Sequence, residues 1–176
     1  MDKNVCVIGA GYWGKNHINT LHEMGIDVGI VDPNMRALDF FSDKYPKNRT
    51  YKDLTEVLLD DYGAYVVSSP AETHFHIAKK LISAKKHVLL EKPMTLSVSQ
   101  AEKLVYLAEK NKTTLMVGHV LLFHPAITKM KEIILKGKIG NLQYLYSNRL
   151  NLGKVRSEEN VFWSFAPHDI AIFQHF

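Results

Sequence analysis

The sequence predicts an α/β protein with a doubly wound parallel sheet, followed by the incomplete start of an α+β domain. Three observations lead there. To about residue 120, short apolar runs alternate with amphipathic stretches, the pattern of βαβ units. The runs are continuously apolar, as expected of strands covered by helices on both faces. A glycine-rich turn, Gly9-Ala10-Gly11-Tyr12-Trp13-Gly14, joins the first run to the first amphipathic stretch.

Each element follows in order. Val5–Gly9 reads as a strand and Trp13–Met24 as a helix. Asp27–Asp32 is the next strand and Met35–Tyr45 the next helix. A short helix is predicted at Leu54–Asp60, opened by the capping box Asp53-x-x-Glu56. Strand Ala64–Ser69, helix Thr73–Ala84 and strand His87–Glu91 come next. A second capping box, Ser97-x-x-Gln100, opens a helix to about Lys110, and strand Thr114–Gly118 closes the series.

Beyond residue 120 the texture changes. Pro125–Lys136 reads as a helix with Pro125 near its start, and Gly137 and Gly140 punctuate its end. Gln143–Leu152 is the longest strand candidate, with Tyr144, Tyr146 and Asn148 alternating against Leu145 and Ser147. A charged loop spans 153–160, and Phe162–Phe176 is apolar and expected to end as a helix. The domains are therefore placed at 1–120, dinucleotide-binding, and 121–176, the truncated start of a substrate-binding domain.

Composition narrows the function. Of the 176 residues 46% are hydrophobic, enough for a core and too many for a disordered chain. The net charge is +4, yet no run of five basic residues occurs, so nucleic-acid binding is not indicated. A mild positive surface suits an anionic cofactor or substrate, or simply solubility. The single cysteine, Cys6, sits in an apolar run and reads as a small core residue. The start of the chain shows no signal-peptide pattern and no apolar stretch approaches about 18 residues, so a cytoplasmic protein without a membrane span is expected.

The glycine turn carries chemistry. Following a strand, opening a helix and accompanied by Asp32 at the end of the next strand, it is a dinucleotide fingerprint rather than a bare turn. Gly9 permits the tight turn, Gly11 lets backbone approach a pyrophosphate on the helix N-terminus, and Gly14 allows helix to pack on strand. Tyr12 and Trp13 lie within the same turn. Asp32 is expected to accept from the adenosine ribose hydroxyls and to repel a 2′-phosphate, favouring NAD over NADP. Arg36 tempers this: it could stack on adenine or meet a 2′-phosphate, or be an exposed helix arginine. Ser69, Pro70 and His74 end the Ala64–Ser69 strand, where doubly wound sheets bind ligands. They are placed near the ribose and nicotinamide, with a helix-start surface histidine as the plain alternative for His74.

Glu91-Lys92-Pro93 ends a strand at the same sheet edge. Pro93 keeps Lys92 out of the helical region. An ammonium there could donate to a substrate hydroxyl and stabilise a developing alkoxide. Standing alone, it would read as a solvated lysine.

Taken together, the glycine turn, Ser69-Pro70…Thr73-His74, Glu91-Lys92-Pro93 and His119…His124-Pro125-Ala126 resemble the glucose–fructose oxidoreductase, inositol dehydrogenase and rhizopine-catabolism family (Gfo/Idh/MocA). From Gly118 to Asp169 the chain looks most like members oxidising nucleotide-activated amino sugars, such as UDP-N-acetylglucosamine or its uronic acid. The resemblance implies an NAD-dependent oxidoreductase with a Rossmann domain, acting on a secondary alcohol of a sugar or sugar nucleotide. It implies that Lys92 is the catalytic lysine and that His168 is the general acid/base. Many members carry an aspartate four residues before that histidine; here Ser164 stands there. Asp169 is expected to orient the His168 imidazole or to be a solvated helix residue. Glu91 and Lys92 join the cofactor-binding set. His119 belongs to the substrate pocket. Arg149 and Arg156, with Lys154, are expected to meet a diphosphate or to form a solvated basic loop. Members of that family are much longer, so this chain is expected to be a truncated product, with a homo-oligomer as the full-length form.

Other readings stay open: a non-catalytic dinucleotide-binding module, a truncated relic, or an imine or ene reductase of the biliverdin-reductase kind. Of the nine histidines only His74-x-His76 form a tight pair, and no His-Glu-x-x-His or cysteine cluster occurs, so no metal site is expected. His17 and His22 read as solvated or packed on the first helix. Phe162 and Trp163 read as core.

Overall fold

Short apolar runs form most of the strands of the structure, a computed structural model that describes residues 4–58, 60, 62–150 and 160–176, without the side chains of Val161 and Ser164. The strands are β1 (Asn4–Ile8), β2 (Asp27–Val31), β3 (Arg49–Tyr51), β4 (Ala64–Val67), β5 (His87–Leu90) and β6 (Leu115–Val117). They make one parallel sheet in the order β3-β2-β1-β4-β5-β6. The helices between them are α1 (Gly14–Glu23), α2 (Met35–Lys44), α3 (Leu54–Val57), α4 (Ala71–Ser83) and α5 (Val98–Asn111).

Successive strand side chains point to opposite faces, so each face gathers its own core. Cys6 and Ile8 of β1 pack with Tyr65, Val67, Val88 and Leu90, covered by Ala78, Leu81 and Ile82 of α4 and Leu104 and Ala108 of α5. Val7 faces the other way with Val28, Ile30 and Val66, under Ile18 of α1 and Leu38 and Phe41 of α2. Burial pushes the Cys6 thiol up, so it stays a protonated core residue. Strand order reverses beside β1, whose neighbours are β2 and β4. The crevice outside the strands' carboxyl ends at such a point is where open α/β sheets bind ligands.

Several local expectations change. β3 pairs with β2, Gly29 to Arg49 through Val31 to Tyr51, although no strand was expected there. Asp53 caps α3 by accepting from the Thr55 and Glu56 amides, but Glu56 returns to the Lys52 amide rather than to Asp53. The capping box at Ser97 does not form: its hydroxyl lies 3.0 Å from that of Ser99, and its carbonyl accepts from Thr95.

A second compact unit comprises residues 119–176. It holds a 3-10 turn (Val120–Phe123) and α6 (Pro125–Leu135), with Pro125 in the first turn and His124 accepting from the Ala126 amide. It also holds α7 (Val161–His175), capped by Asn160 onto the Trp163 amide, with Pro167 inside it. The strand expected at Gln143–Leu152 is absent over 143–150, and 151 and 152 lie outside the described residues. Its alternation is present in sequence, but a strand needs a partner for its amides, and among the described residues none pairs with it. Tyr144 and Tyr146 remain exposed. Among the described residues no helix is long and apolar enough to cross a membrane.

Hydrogen exchange checks this division. The β1, β2, β4 and β5 amides are expected to exchange slowly and those of 143–150 rapidly. Strong, uniform protection across 143–150 would contradict it.

Candidate functional site

The glycine turn is fixed by close backbone approach. Gly9 adopts φ +93°, and a Cβ there would come within 2.8 Å of the Ser68 and Ser69 backbone. At Gly14 a Cβ would lie 1.8 Å from the Gly9 carbonyl oxygen. Neither position can hold a side chain without displacing backbone. Around a Cβ at Gly11, in contrast, nothing lies within 4 Å. Backbone there is open to an approaching group, at the start of α1 where helix amides favour an anion. Tyr12 is exposed beside it.

Asp32 follows β2 at the same edge. One carboxylate oxygen accepts from the Ala10 amide at 2.7 Å and the other from the Asn34 amide at 2.8 Å. The first bond ties it to the glycine turn, and the second links it to the residue capping α2. Each oxygen keeps a further lone pair. Arg36 is exposed in the first turn of α2.

The turn after β4 closes on the same place. The Ser68 hydroxyl reaches the Gly9 carbonyl at 2.8 Å. The Ser69 and Thr73 hydroxyls lie 2.7 Å apart, and Thr73 donates to the Pro70 carbonyl. His74 is not a surface histidine. It is 1% exposed, with Nε2 2.9 Å from the Ser69 carbonyl oxygen and Nδ1 2.8 Å from that of Pro93.

After β5 comes Glu91-Lys92-Pro93. Glu91 is 7% exposed. Its Oε1 accepts from Trp13 Nε1 and from His17 Nε2, each at 2.7 Å, and Oε2 accepts from the Lys92 amide at 3.3 Å. Burial pushes the carboxyl up, but His17 and Trp13 outweigh it and hold it below its ordinary 4.5. Lys92 is half-buried, and the Lys92–Pro93 peptide is cis. A Cβ at Gly118 would lie 3.0 Å from the Glu91 carboxyl, so glycine leaves the room Glu91 occupies.

In the second unit, His119 directly precedes the 3-10 turn without a side-chain capping bond, and His168 and Asp169 lie half-buried on α7. Asp169 accepts from Ser147 at 2.9 Å and from Arg149 Nε at 2.5 Å. Burial raises its carboxyl, but those bonds and the charges of Arg149 and His168 bring it below its ordinary 3.8. Lys154 and Arg156 lie outside the described residues, as does the Ser164 side chain.

Residues 3–119 match the model of an oxidoreductase family with an NAD-binding Rossmann fold (GFO_IDH_MocA). The chain belongs to that family. It is 30% identical over 166 residues to UDP-N-acetylglucosamine 3-dehydrogenase of Acidithiobacillus ferrooxidans, covering 93% of this chain and 51% of that protein. It is 28% identical over 171 residues to myo-inositol 2-dehydrogenase of Thermotoga maritima, again 93% and 51%. The crystal structure of GenD2 from gentamicin A biosynthesis, in complex with NAD, superposes with a TM-score of 0.72 at 29% identity, over 77% of this chain and 39% of that one. The chain spans about half the length of the curated relatives it matches.

Within this family member, sequence reasoning missed His17. Trp13 and His17 are four apart, on one helix face, which was the available signal. What they meet, Glu91, is 74 positions from His17 and is not visible from spacing.

A pH series tests the Glu91 clamp. A carboxyl lowered by folding contributes stability that is complete above its unfolded value near 4.5 and is lost as pH falls through its folded value. Glu91→Gln is therefore expected to be less stable than the parent at neutral pH, with the gap narrowing in acid. Urea unfolding measures it, and a gap independent of pH would contradict the clamp.

Proposed function

We propose that this chain binds NAD in preference to NADP and serves hydride transfer between it and a secondary alcohol of a sugar or sugar nucleotide. One observation carries the reading: Glu91 joins the helix that opens at the glycine turn directly to the Lys92 turn, at the carboxyl edge of the sheet. A lysine held there supports a reading of chemistry at the reactive end of a dinucleotide.

The residues fit the cofactor. Gly11 leaves backbone open for a pyrophosphate, and Gly9 and Gly14 keep the turn against the sheet. Asp32 presents a carboxylate, pinned by two backbone amides, to the ribose hydroxyls, and its charge opposes a 2′-phosphate. Tyr12, Trp13, Ser69 and Pro70 complete the cofactor wall. Arg36 is the residue that would accommodate NADP. Bound NAD supplies the hydride acceptor.

This chain's own residues then handle the alcohol. Lys92 donates to its oxygen as negative charge builds. His168 takes the hydroxyl proton. The two residues lie in different units, and their joint action is part of the proposal, as is the assignment of 121–176 to substrate binding. His119 contributes to the sugar pocket. Arg149 and Arg156 meet the diphosphate of a sugar nucleotide, with Asp169 holding Arg149 and lying close enough to influence His168. UDP-N-acetylhexosamines are the favoured substrates because such a dehydrogenase is among the chain's relatives. A cytoplasmic setting and a homo-oligomeric state belong to the same reading.

Calorimetry with both dinucleotides, on the parent and on Lys92→Ala, tests it. NAD is expected to bind more tightly than NADP, and Lys92→Ala to leave NAD affinity unchanged. Turnover of UDP-sugars should fall roughly 10²- to 10³-fold in that variant, as when an oxyanion donor is removed. Tighter NADP binding, or undiminished turnover, would overturn the reading.

A further inference from the structure

His74 sits in the first turn of α4, sealed from solvent, between two backbone carbonyls that belong to different turns. Ser69 follows β4. Pro93 follows Lys92 directly, and being a proline it offers no amide to anchor its own turn. Both facing atoms are acceptors, so the ring serves them as a donor; a neutral imidazole supplies one N–H and its cation two. A buried ring that gave up these contacts would lose hydrogen bonds it could not replace from water. Phe75 and Ile77 pack against the core on the same helix, which fixes the backbone that carries the ring.

We infer that His74 is a positioning residue: it holds the Lys92–Pro93 turn in register with the turn after β4, and so sets where the Lys92 ammonium stands. The inference rests on the reading of Lys92 given above. His74, which the sequence places near the ribose and nicotinamide, has both ring nitrogens against backbone carbonyls and acts on Lys92 through that of Pro93.

Three variants of the full chain separate the two contacts. His74→Asn places its amide near the Nδ1 position and keeps the Pro93 side. His74→Gln reaches the Nε2 position and keeps the Ser69 side. His74→Phe fills the space and keeps neither. The readouts are the acylation rate of the Lys92 amine, followed by mass spectrometry with and without NADH, and the NADH dissociation constant by fluorescence. NADH affinity is measured for each variant so that labelling is compared at saturating cofactor. The NADH-dependent difference in Lys92 labelling should persist in His74→Asn and be lost in His74→Gln and His74→Phe. A parent-like difference in His74→Phe would overturn the inference. So would failure of all three variants to fold, because the ring would then be a requirement of the core and not a positioning device. If the parent shows no NADH-dependent difference, the reading of Lys92 fails instead. His74 is then judged on the cofactor-free rate, which must still differ between His74→Phe and the parent, with His74→Asn restoring it.

Discussion

A carboxylate withdrawn from water at the carboxyl edge of the sheet has to be met by donors, and Glu91 is met from three directions. The indole of Trp13 and the imidazole of His17 reach one oxygen, and the Lys92 amide reaches the other. Leaving a buried charge unmatched costs several kcal/mol, about as much as a small domain's whole margin of stability. The sequence around it is bound by that requirement. Trp13 and His17 share a helix face, a Cβ at Gly118 would crowd the carboxylate, and α1 begins where the glycine turn ends. The helix start that favours an anion and the strand end that carries a lysine are thereby parts of one hydrogen-bonded assembly.

Sterics complete what the carboxylate begins. Gly14 packs against the Gly9 carbonyl more closely than any side chain allows, and Gly9 in turn lies against the turn after β4. Ser68 stitches that contact with a hydroxyl bond to the Gly9 carbonyl. The three turns that follow β1, β4 and β5 are joined pairwise, by Ser68, by His74 and by Glu91. Gly11 alone among the three fingerprint glycines faces open space.

What the sequence made legible depended on how local its cause was. Continuous apolar runs announced β1, β2, β4 and β5 because cover on both sheet faces leaves that trace along most of each strand; β6 was announced by Leu115-Met116-Val117, although Met116 is exposed. β3 left none: Arg49-Thr50-Tyr51 is three residues long, polar at two of them, and exists because β2 offers an edge. Ser97 carried the signature of a capping box, yet its hydroxyl lies against Ser99 instead, a competition between neighbours that a motif does not register. The alternation at 143–150 was a true pattern without a partner strand. In the site, the glycine turn, Asp32 and Lys92 were readable as motifs. Glu91 was read as part of the cofactor set; that its carboxylate also accepts from Trp13 and His17 was not readable. The His17 contact with Glu91 and the His74 contact with Pro93 were not readable, since each depends on a group in a later element.

The central claim is that Glu91 couples the first helix energetically to the Lys92 turn. A double-mutant cycle on Trp13→Phe and Glu91→Gln, followed by urea unfolding of the full chain, measures that coupling directly. The account predicts an interaction energy of about 0.5–3 kcal/mol, the range for groups sharing a hydrogen-bond network. Effects that simply add, within about 0.3–0.5 kcal/mol, would contradict it.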